Sequence, residues 1–334
     1  MLKRTRVLII DDSAIVRKIL SESLAGEPDL EVVGTAPDPY VARDKVLQTN
    51  PDVLTLDIEM PRMDGLTFLE KLMRFHPLPV VVISSLTQRS SATAVRAMEL
   101  GAIEVLAKPG GPYSVGELAS DLANKVRAAA AARIQRRDPA PPAAPVIVSA
   151  ASGVIAIGAS TGGTDAISQI LTRLPAATPG LLIAQHIPAG FSRAFARRLN
   201  DICAMEVREA ADGDAVCRGL ALIAPGDFHM MLRKRGEQYS VAVQTGPRVC
   251  YQRPSVDVLF ESVAEAAGRE AVGVLLTGMG SDGARGLLHM REAGARTIAQ
   301  DEATCIVYGM PRKAVEMGAA GQVLPLPQIA QAML

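Results

Sequence analysis

Cysteine and histidine are both scarce in this chain, and so is any excess of charge. The four cysteines, Cys203, Cys217, Cys250 and Cys305, lie far apart. They form no C-x-x-C pair and have no histidine at zinc-ligand spacing, which excludes a zinc module or a disulfide framework and suits reduced thiols in a cytoplasmic protein. Lys and Arg number 35, against 35 Asp and Glu. This balance excludes the basic face or arm that nucleic acid requires, so no nucleic-acid partner is expected. The densest basic run, Arg133-Ile134-Gln135-Arg136-Arg137, reads as a solvated helix end. No apolar run is long enough to cross a bilayer, and no membrane insertion is expected. Met1–Arg6 leads into only four apolar residues before Asp11-Asp12, which is no secretory signal.

What remains is an ordinary soluble composition, 49% apolar and 21% charged over 334 residues, enough for two domains. Strands and helices alternate from the start. Val7–Ile10, Glu31–Gly34, Pro51–Asp57, Val80–Ser84 and Glu104–Ala107 read as strands, with helices over 15–24, 39–49, 65–75 and 91–100. Nearly all-apolar strands in strict alternation predict a parallel sheet covered on both faces. An Ala-rich closing helix is predicted over 117–137. Asp138-Pro139-Ala140-Pro141-Pro142-Ala143-Ala144-Pro145 cannot continue it and reads as a semi-rigid spacer. The expected organisation is a domain over 1–125, a helix end and Pro/Ala-rich linker over 126–152, and a second domain over 153–334, in a monomeric protein. The fold class is α/β throughout, with two doubly wound parallel sheets, flavodoxin-like and then Rossmann-like.

In such sheets function sits at the carboxyl ends of the strands. The first sheet carries Asp11 and Asp12 after strand 1, Asp57 on strand 3, Ser84 on strand 4 and Lys108 after strand 5. Three converging carboxylates suit Mg²⁺, and one of them can accept a phosphoryl group whose charge the metal and Lys108 neutralise. The bland alternative is that each Asp caps a helix or turn. Ile9-Ile10-Asp11-Asp12-Ser13, Asp57-x-x-Met60-Pro61-x-Met63-Asp64-Gly65 and Ala107-Lys108-Pro109 resemble the receiver domain of bacterial response regulators, over residues 3 to about 125. The resemblance implies that Asp57 is phosphorylated, that Asp11 and Asp12 help bind Mg²⁺, that Lys108 contacts the phosphoryl group and that Ser84 is the switch residue. Where many receivers carry a switch Tyr or Phe, this chain has Val105, so signalling is expected to pass through the domain surface.

The second half opens with Val154-Ile155-Ala156-Ile157-Gly158-Ala159-Ser160-Thr161-Gly162-Gly163, a short apolar strand and a tight turn into a helix. A serine on such a turn is lifted clear of the sheet beside backbone N–H groups, as an acyl-transfer nucleophile needs. A phosphate cradle or a plain turn is the alternative, although G-x-G-x-x-G, G-x-x-x-x-G-K-[ST] and G-x-S-x-G are all missing. Serine chemistry needs an imidazole and an orienting carboxylate, and there are four histidines. His76 reads as a helix-end residue and His289 as a partly buried structural one, while His229 could line the site or satisfy a loop carbonyl. His186 ends the strand Leu181–Gln185, and Asp282 lies in the turn after Val272–Leu276. Asp282 could equally serve turn or cap chemistry. A hairpin is expected around Tyr239–Gln244, before a helix over 257–267.

Gly158-Ala159-Ser160-Thr161-Gly162-Gly163, Gln185-His186-x-Pro188, Pro254-Ser255-Val256-Asp257, Gly278-Met279-Gly280-x-Asp282-Gly283 and Tyr308-Gly309-Met310-Pro311 resemble the catalytic domain of chemotaxis protein-glutamate methylesterases. Thr164 departs from the Pro many members carry there, which should affect the stiffness of the turn. The resemblance implies phosphorylation-controlled hydrolysis of glutamate methyl esters, and deamidation of specific glutamines, on chemoreceptor cytoplasmic helices. It implies Ser160, His186 and Asp282 as a triad, and oxyanion or substrate contacts from Thr161, Met279 and Gly280. Mg²⁺ is expected for receiver phosphorylation and no cofactor for ester hydrolysis. The implied partners are methylated chemoreceptors and a chemotaxis histidine kinase as phosphodonor, with the receiver restricting access to the esterase crevice. Two rivals differ in what they require. A dinucleotide-binding module needs an acidic ribose ligand after its second strand, where this chain has His186. A transcriptional output domain needs a basic recognition helix.

Overall fold

The computed structural model describes residues 4–60, 63–108, 115–133 and 153–334. The expected spacer Asp138–Pro145 lies outside them, as do Pro61 and Pro109 of the quoted motifs. The chain divides into two compact units, Met1–Ile134 and Gln135–Leu334. Among the described residues no helix is long and apolar enough to cross a membrane.

The first unit runs β1 (Thr5–Ile10), α1 (Ala14–Ala25), β2 (Leu30–Ala36), α2 (Pro39–Thr49), β3 (Val53–Asp57), α3 (Gly65–Phe75), β4 (Val80–Ser84), α4 (Gln88–Glu99), β5 (Glu104–Ala107) and α5 (Val115–Ala130). Its five strands are parallel in the order β2-β1-β3-β4-β5. Every residue of β3, β4 and β5 is buried, and each fully buried Val or Ile there contributes at most about 1.5–3 kcal/mol. Short polar side chains start the helices. Ser13, Asp38, Asp64 and Thr87 each accept from a backbone N–H in the first turn of α1, α2, α3 and α4, which satisfies donors that the helix leaves open. The chain leaves β1 for β2 on one side and later returns to β3 on the other. That reversal opens a crevice between β1 and β3 at their carboxyl ends.

The second unit runs β6 (Val154–Ala159), α6 (Gly163–Leu171), β7 (Gly180–Gln185), α7 (Phe191–Ile202), β8 (Glu206–Glu209), β9 (Leu220–Ile223), β10 (His229–Arg235), β11 (Gln238–Gln244), α8 (Val256–Ala267), β12 (Ala271–Leu275), α9 (Ala284–Glu292), β13 (Arg296–Gln300), α10 (Met310–Glu316), β14 (Gln322–Leu324) and α11 (Leu326–Ala332). Seven parallel strands lie in the order β14-β13-β12-β6-β7-β9-β8. The expected hairpin is β10–β11, antiparallel, with His229 opposite Gln244. The two outermost strands and α11 are additions to the sequence reading, because Glu206-Val207-Arg208-Glu209 is charged and only half-buried and carries no strand signal. Both sheets are parallel α/β sheets, as the alternation predicts. In the second, the strand that starts the domain sits in the middle, flanked by β7 and β12. Its carboxyl end is the second crevice.

Candidate functional site

Two clusters of ionisable groups occupy these crevices, one in each unit.

In the first, Asp11 and Asp57 are buried and Asp12 is exposed. One carboxylate oxygen from each lies within 4.8 Å of the others. Lys108, just past β5, donates from Nζ to Asp57 Oδ2 at 2.7 Å and stands 3.8 Å from Asp11 Oδ2. Asp57 Oδ1 accepts from the Glu59 N–H at 3.1 Å. Burial is the largest influence on Asp57 and outweighs Lys108, pushing its pKa up to about 6. Asp11 is raised for the same reason. On Lys108 burial works the other way, but Asp57 and Asp11 outweigh it and hold its pKa above the ordinary value. Asp11 Oδ2 is buried and accepts no hydrogen bond among the described residues. Three carboxylates at one crevice, with the Asp11 Oδ2 unspent, form the kind of hard-oxygen donor set an Mg²⁺ ion takes. Ser84 is buried at the end of β4, with Oγ donating to the Ser90 carbonyl at 3.2 Å. Val105 is buried in β5.

The second cluster is built on three adjacent strands. Ser160 follows β6 and His186 follows β7, and the two strands pair with Ala159 opposite Gln185. The His186 N–H donates to the Ala159 carbonyl at 3.1 Å, so nucleophile candidate and base candidate emerge side by side. Asp282 stands in the turn after β12, on the other flank of β6. His186 Nε2 and Asp282 Oδ2 are 2.7 Å apart, and both residues are buried.

Asp282 does not cap its own helix α9, whose N-cap position is Gly283. It accepts instead from the start of α8. Oδ1 takes the Ser255 hydroxyl at 2.8 Å and the Asp257 N–H at 3.0 Å, and Oδ2 takes the Val256 N–H at 2.7 Å in addition to His186. Four donors fill the acceptor positions of one carboxylate, at the positive end of a helix. Burial pushes the Asp282 pKa up, but the bonds from His186 and from the α8 backbone outweigh it, and the carboxyl is held below the ordinary value. It stays ionised at neutral pH. His186 Nδ1 is buried with no hydrogen-bond partner among the described residues.

The serine turn is held from two directions. From one side, the Ser160 N–H donates to the Thr277 carbonyl at 3.0 Å, and Thr277 Oγ1 donates to the Thr161 carbonyl at 2.9 Å. Gln300 Oε1 in turn accepts from the Thr277 N–H at 2.8 Å. Gly278 follows, and a Cβ there would lie 2.7 Å from Ser160 Cβ. Only glycine lets the chain come this close at Gly278, and Met279 and Gly280 follow it in the same turn. From the other side, the Gln185 side-chain amide donates to the Ser160 carbonyl at 2.9 Å and to the His186 carbonyl at 3.0 Å. One buried amide thus clamps both. A Cβ at Gly163 would meet Gln185 Oε1 at 2.1 Å, which accounts for the second glycine of the pair.

The remaining histidines are accounted for. His229 satisfies a loop carbonyl, with Nε2 2.9 Å from the Pro247 oxygen, and its Nδ1 accepts from the Ser255 N–H at 3.2 Å. It therefore braces the α8 start that holds Asp282. His76 ends α3 as its C-cap residue. His289, expected to be partly buried, is a correction. It lies on the outer face of α9, exposed and 3.8 Å from Glu261, because Leu287 and Met290 take the buried face. The sequence reading did not single out Gln185, Thr277, Gln300 or Ser255. Gln185 and Ser255 stood inside quoted motifs, and that was their only signal.

These features define a receiver-coupled esterase. Residues 155–333 match the CheB methylesterase family and residues 7–118 the response regulator receiver domain. The chain is 54% identical to a protein-glutamate methylesterase/protein-glutamine glutaminase of Syntrophus aciditrophicus, over 98% of each chain. It is 54% identical to a protein of the same kind from Salmonella typhimurium, covering 100% of this chain and 97% of the relative. The crystal structure of the Thermotoga maritima CheB methylesterase catalytic domain superposes with a TM-score of 0.54 at 35% identity, covering 55% of this chain and 97% of that one. The chain belongs to the CheB methylesterase family.

Proposed function

We propose that the enzyme hydrolyses methyl esters of glutamate side chains on the cytoplasmic helices of chemoreceptors, and deamidates particular glutamines there, through an acyl-enzyme at Ser160. The observation that carries this reading is the state of His186. One ring nitrogen is pinned to a carboxylate that has no acceptor position left, and the other is buried and unengaged, on a residue whose backbone N–H bonds the end of the strand that leads to Ser160. Ser160 Oγ attacks the side-chain carbonyl carbon, and its proton passes to His186 Nδ1. The C–O bond to methoxide, or the C–N bond to the amide nitrogen, then breaks and takes that proton. Methanol or ammonia leaves. Water repeats the sequence and releases glutamate with Ser160 restored. Asp282 fixes the ring and stabilises the imidazolium. In this reading the oxyanion is stabilised by backbone N–H groups of the turns that carry Thr161 and Met279–Gly280.

The first unit is the control element in this reading. Asp57 is the phosphorylated residue, a histidine kinase the donor, and Asp11, Asp12 and Asp57 the ligands of an Mg²⁺ ion. When bound, the ion neutralises charge on the phosphoryl oxygens. Lys108 pairs with the same oxygens, and the Ser84 hydroxyl turns from the Ser90 carbonyl toward them. Phosphorylation then shifts the protein toward its active arrangement.

Methanol release from methyl-labelled chemoreceptor membranes tests both halves. Wild type should release methanol, faster with a small-molecule phosphodonor and Mg²⁺. Ser160→Ala should release none, and Asp57→Asn should ignore the donor. Wild-type rates from Ser160→Ala would sink the acyl-enzyme, and a donor response in Asp57→Asn would sink the phosphorylation site.

A further inference from the structure

The loop before α8 carries a turn whose residues do not suit it. The Val249 N–H donates to the Gln252 carbonyl at 3.1 Å, and the Gln252 N–H returns to Val249 at 2.8 Å. Between them Cys250 has φ 50° and Tyr251 φ 64°. Two successive left-handed residues make a type I′ hairpin turn, for which Asn-Gly or Asp-Gly is favoured. Left-handed backbone is costly for a side chain with a Cβ, above all a bulky one. Burial does not offset that cost, because Tyr251 is 86% exposed. Strain held in this way marks segments kept for function.

The turn is fastened to the catalytic cluster. Cys250 Sγ lies within 4.8 Å of carboxylate oxygens of Asp282 and Asp257. With every acceptor position of Asp282 already filled, that trio offers no cation site. On the flanks of the turn, His229 bonds Pro247, and the Asp227 N–H donates to the Arg253 carbonyl at 3.1 Å. Phe228 sits between those two anchors, 39% exposed, and Met279, which follows the glycine packed on Ser160, is 40% exposed. Arg248 and Arg253 share the single carboxylate of Asp227, at 3.6 and 3.5 Å, while the Asp257 and Asp282 carboxylates near the turn are buried.

We propose that Tyr251, with Phe228 and Met279, is the specificity-determining contact for the macromolecular substrate. The partner is a carboxylate-rich polypeptide segment that lays an apolar stripe on these three side chains while its glutamyl ester reaches Ser160. The two guanidinium groups of Arg248 and Arg253 fit such a segment, because every turnover leaves a new carboxylate on it. Exposed apolar side chains around a hydrolytic crevice have no use for a small ester, which needs only the crevice. The proposal rests on the esterase reading of Ser160.

The test uses the full-length chain and two substrates, methylated chemoreceptor and N-acetyl-glutamate γ-methyl ester. The readout is the ratio of kcat/KM on the protein to kcat/KM on the small ester. Tyr251→Gly relieves the backbone and removes the ring. The ratio should fall about tenfold, mostly through KM, while the thermal midpoint rises by about 2–4 °C. Tyr251→Phe should hold the ratio within about twofold. An unchanged ratio in Tyr251→Gly overturns the proposal. A faster rate on the protein in the absence of phosphodonor overturns it too, and assigns the turn to control by the first unit. Turnover of neither substrate by the wild type overturns the esterase reading and this proposal with it.

Discussion

Asp57 and Asp282 both lie at the carboxyl edge of a parallel sheet, Asp57 at the end of β3 and Asp282 in the turn after β12, each buried with a nitrogen partner 2.7 Å away. Their acidities nevertheless move in opposite directions, up to about 6 for Asp57 and below the ordinary value for Asp282. The difference lies in the number of donors. Asp57 accepts from Lys108 and from one backbone N–H, whereas Asp282 accepts from His186, two backbone N–H groups and a hydroxyl. A buried carboxylate with unspent lone pairs is a chemical acceptor, open to an ion or a phosphoryl group. A saturated one is a fixed charge that can only orient its neighbour. Burial alone decides neither role.

Removing the fixed charge should have the largest effect. Asp282→Asn turns an N–H₂ toward donors that need an acceptor, and kcat should fall about 10³–10⁴-fold. The variant should also be less stable at pH 7. A depressed carboxylate pKa contributes stability above its unfolded value and loses it as pH falls through the folded one, so calorimetry should show the two proteins converging below about pH 4. A constant gap down to pH 2 would break the contrast between the two sites. Next comes the clamp on Ser160 and His186. Gln185→Leu strands the buried His186 carbonyl, at about 1–3 kcal/mol, and leaves the Ser160 carbonyl with only the Gly163 N–H, and kcat should fall about 10–100-fold with KM nearly constant. Loss of stability with kcat intact would reduce Gln185 to packing.

The receptive site should respond to protons more gently. A proton competes with Mg²⁺ for Asp57, which is mostly protonated at pH 5 and ionised at pH 7.5, so the Kd for Mg²⁺ by titration calorimetry should weaken about tenfold over that interval. A flat profile would mean that the ion does not use Asp57. The smallest effect belongs to His229→Ala, which loses the brace on the α8 start. At about 0.5–1.5 kcal/mol per bond, kcat should drop about two- to tenfold, and an unchanged rate would show that Asp282 needs no help from β10.

Much of this contrast could be read from the chain alone. Val80–Ile83 and Val154–Ile157 are unbroken apolar runs, which only a parallel sheet buried on both faces explains. Strand ends then nominate Asp57, Ser160 and His186, and the following turn nominates Asp282. Which carboxylate is saturated could not be read, because the donors of Asp282 come from residues 255–257, some twenty-five positions away, through a fold the local pattern does not encode. Gln185 and Thr277 escaped for a related reason. Each looks like the polar end of an apolar strand, and its value lies in the particular carbonyls it reaches, Ser160 and His186 for Gln185, Thr161 and Val307 for Thr277. His289 misled because helical spacing fixes a periodicity but not which side is buried. The short strand Glu206–Glu209 pairs at a sheet edge on one side only, so its sequence never needed to become apolar.

The middle position of β6 in its sheet has a consequence for the chain as it is made. Its neighbour on one side, β12, and the residues that fasten the serine turn, Thr277, Gln300 and Val307, all come from the last quarter of the polypeptide. The Thr277–Thr161 bond alone spans 116 positions. Ser160 therefore leaves the ribosome with Gln185 soon behind it, but long before the Thr277 side of its support exists. A nascent or prematurely terminated chain already contains a complete receiver and a serine, but no hydrolase. The esterase half of the protein is completed last, by the final quarter of the chain.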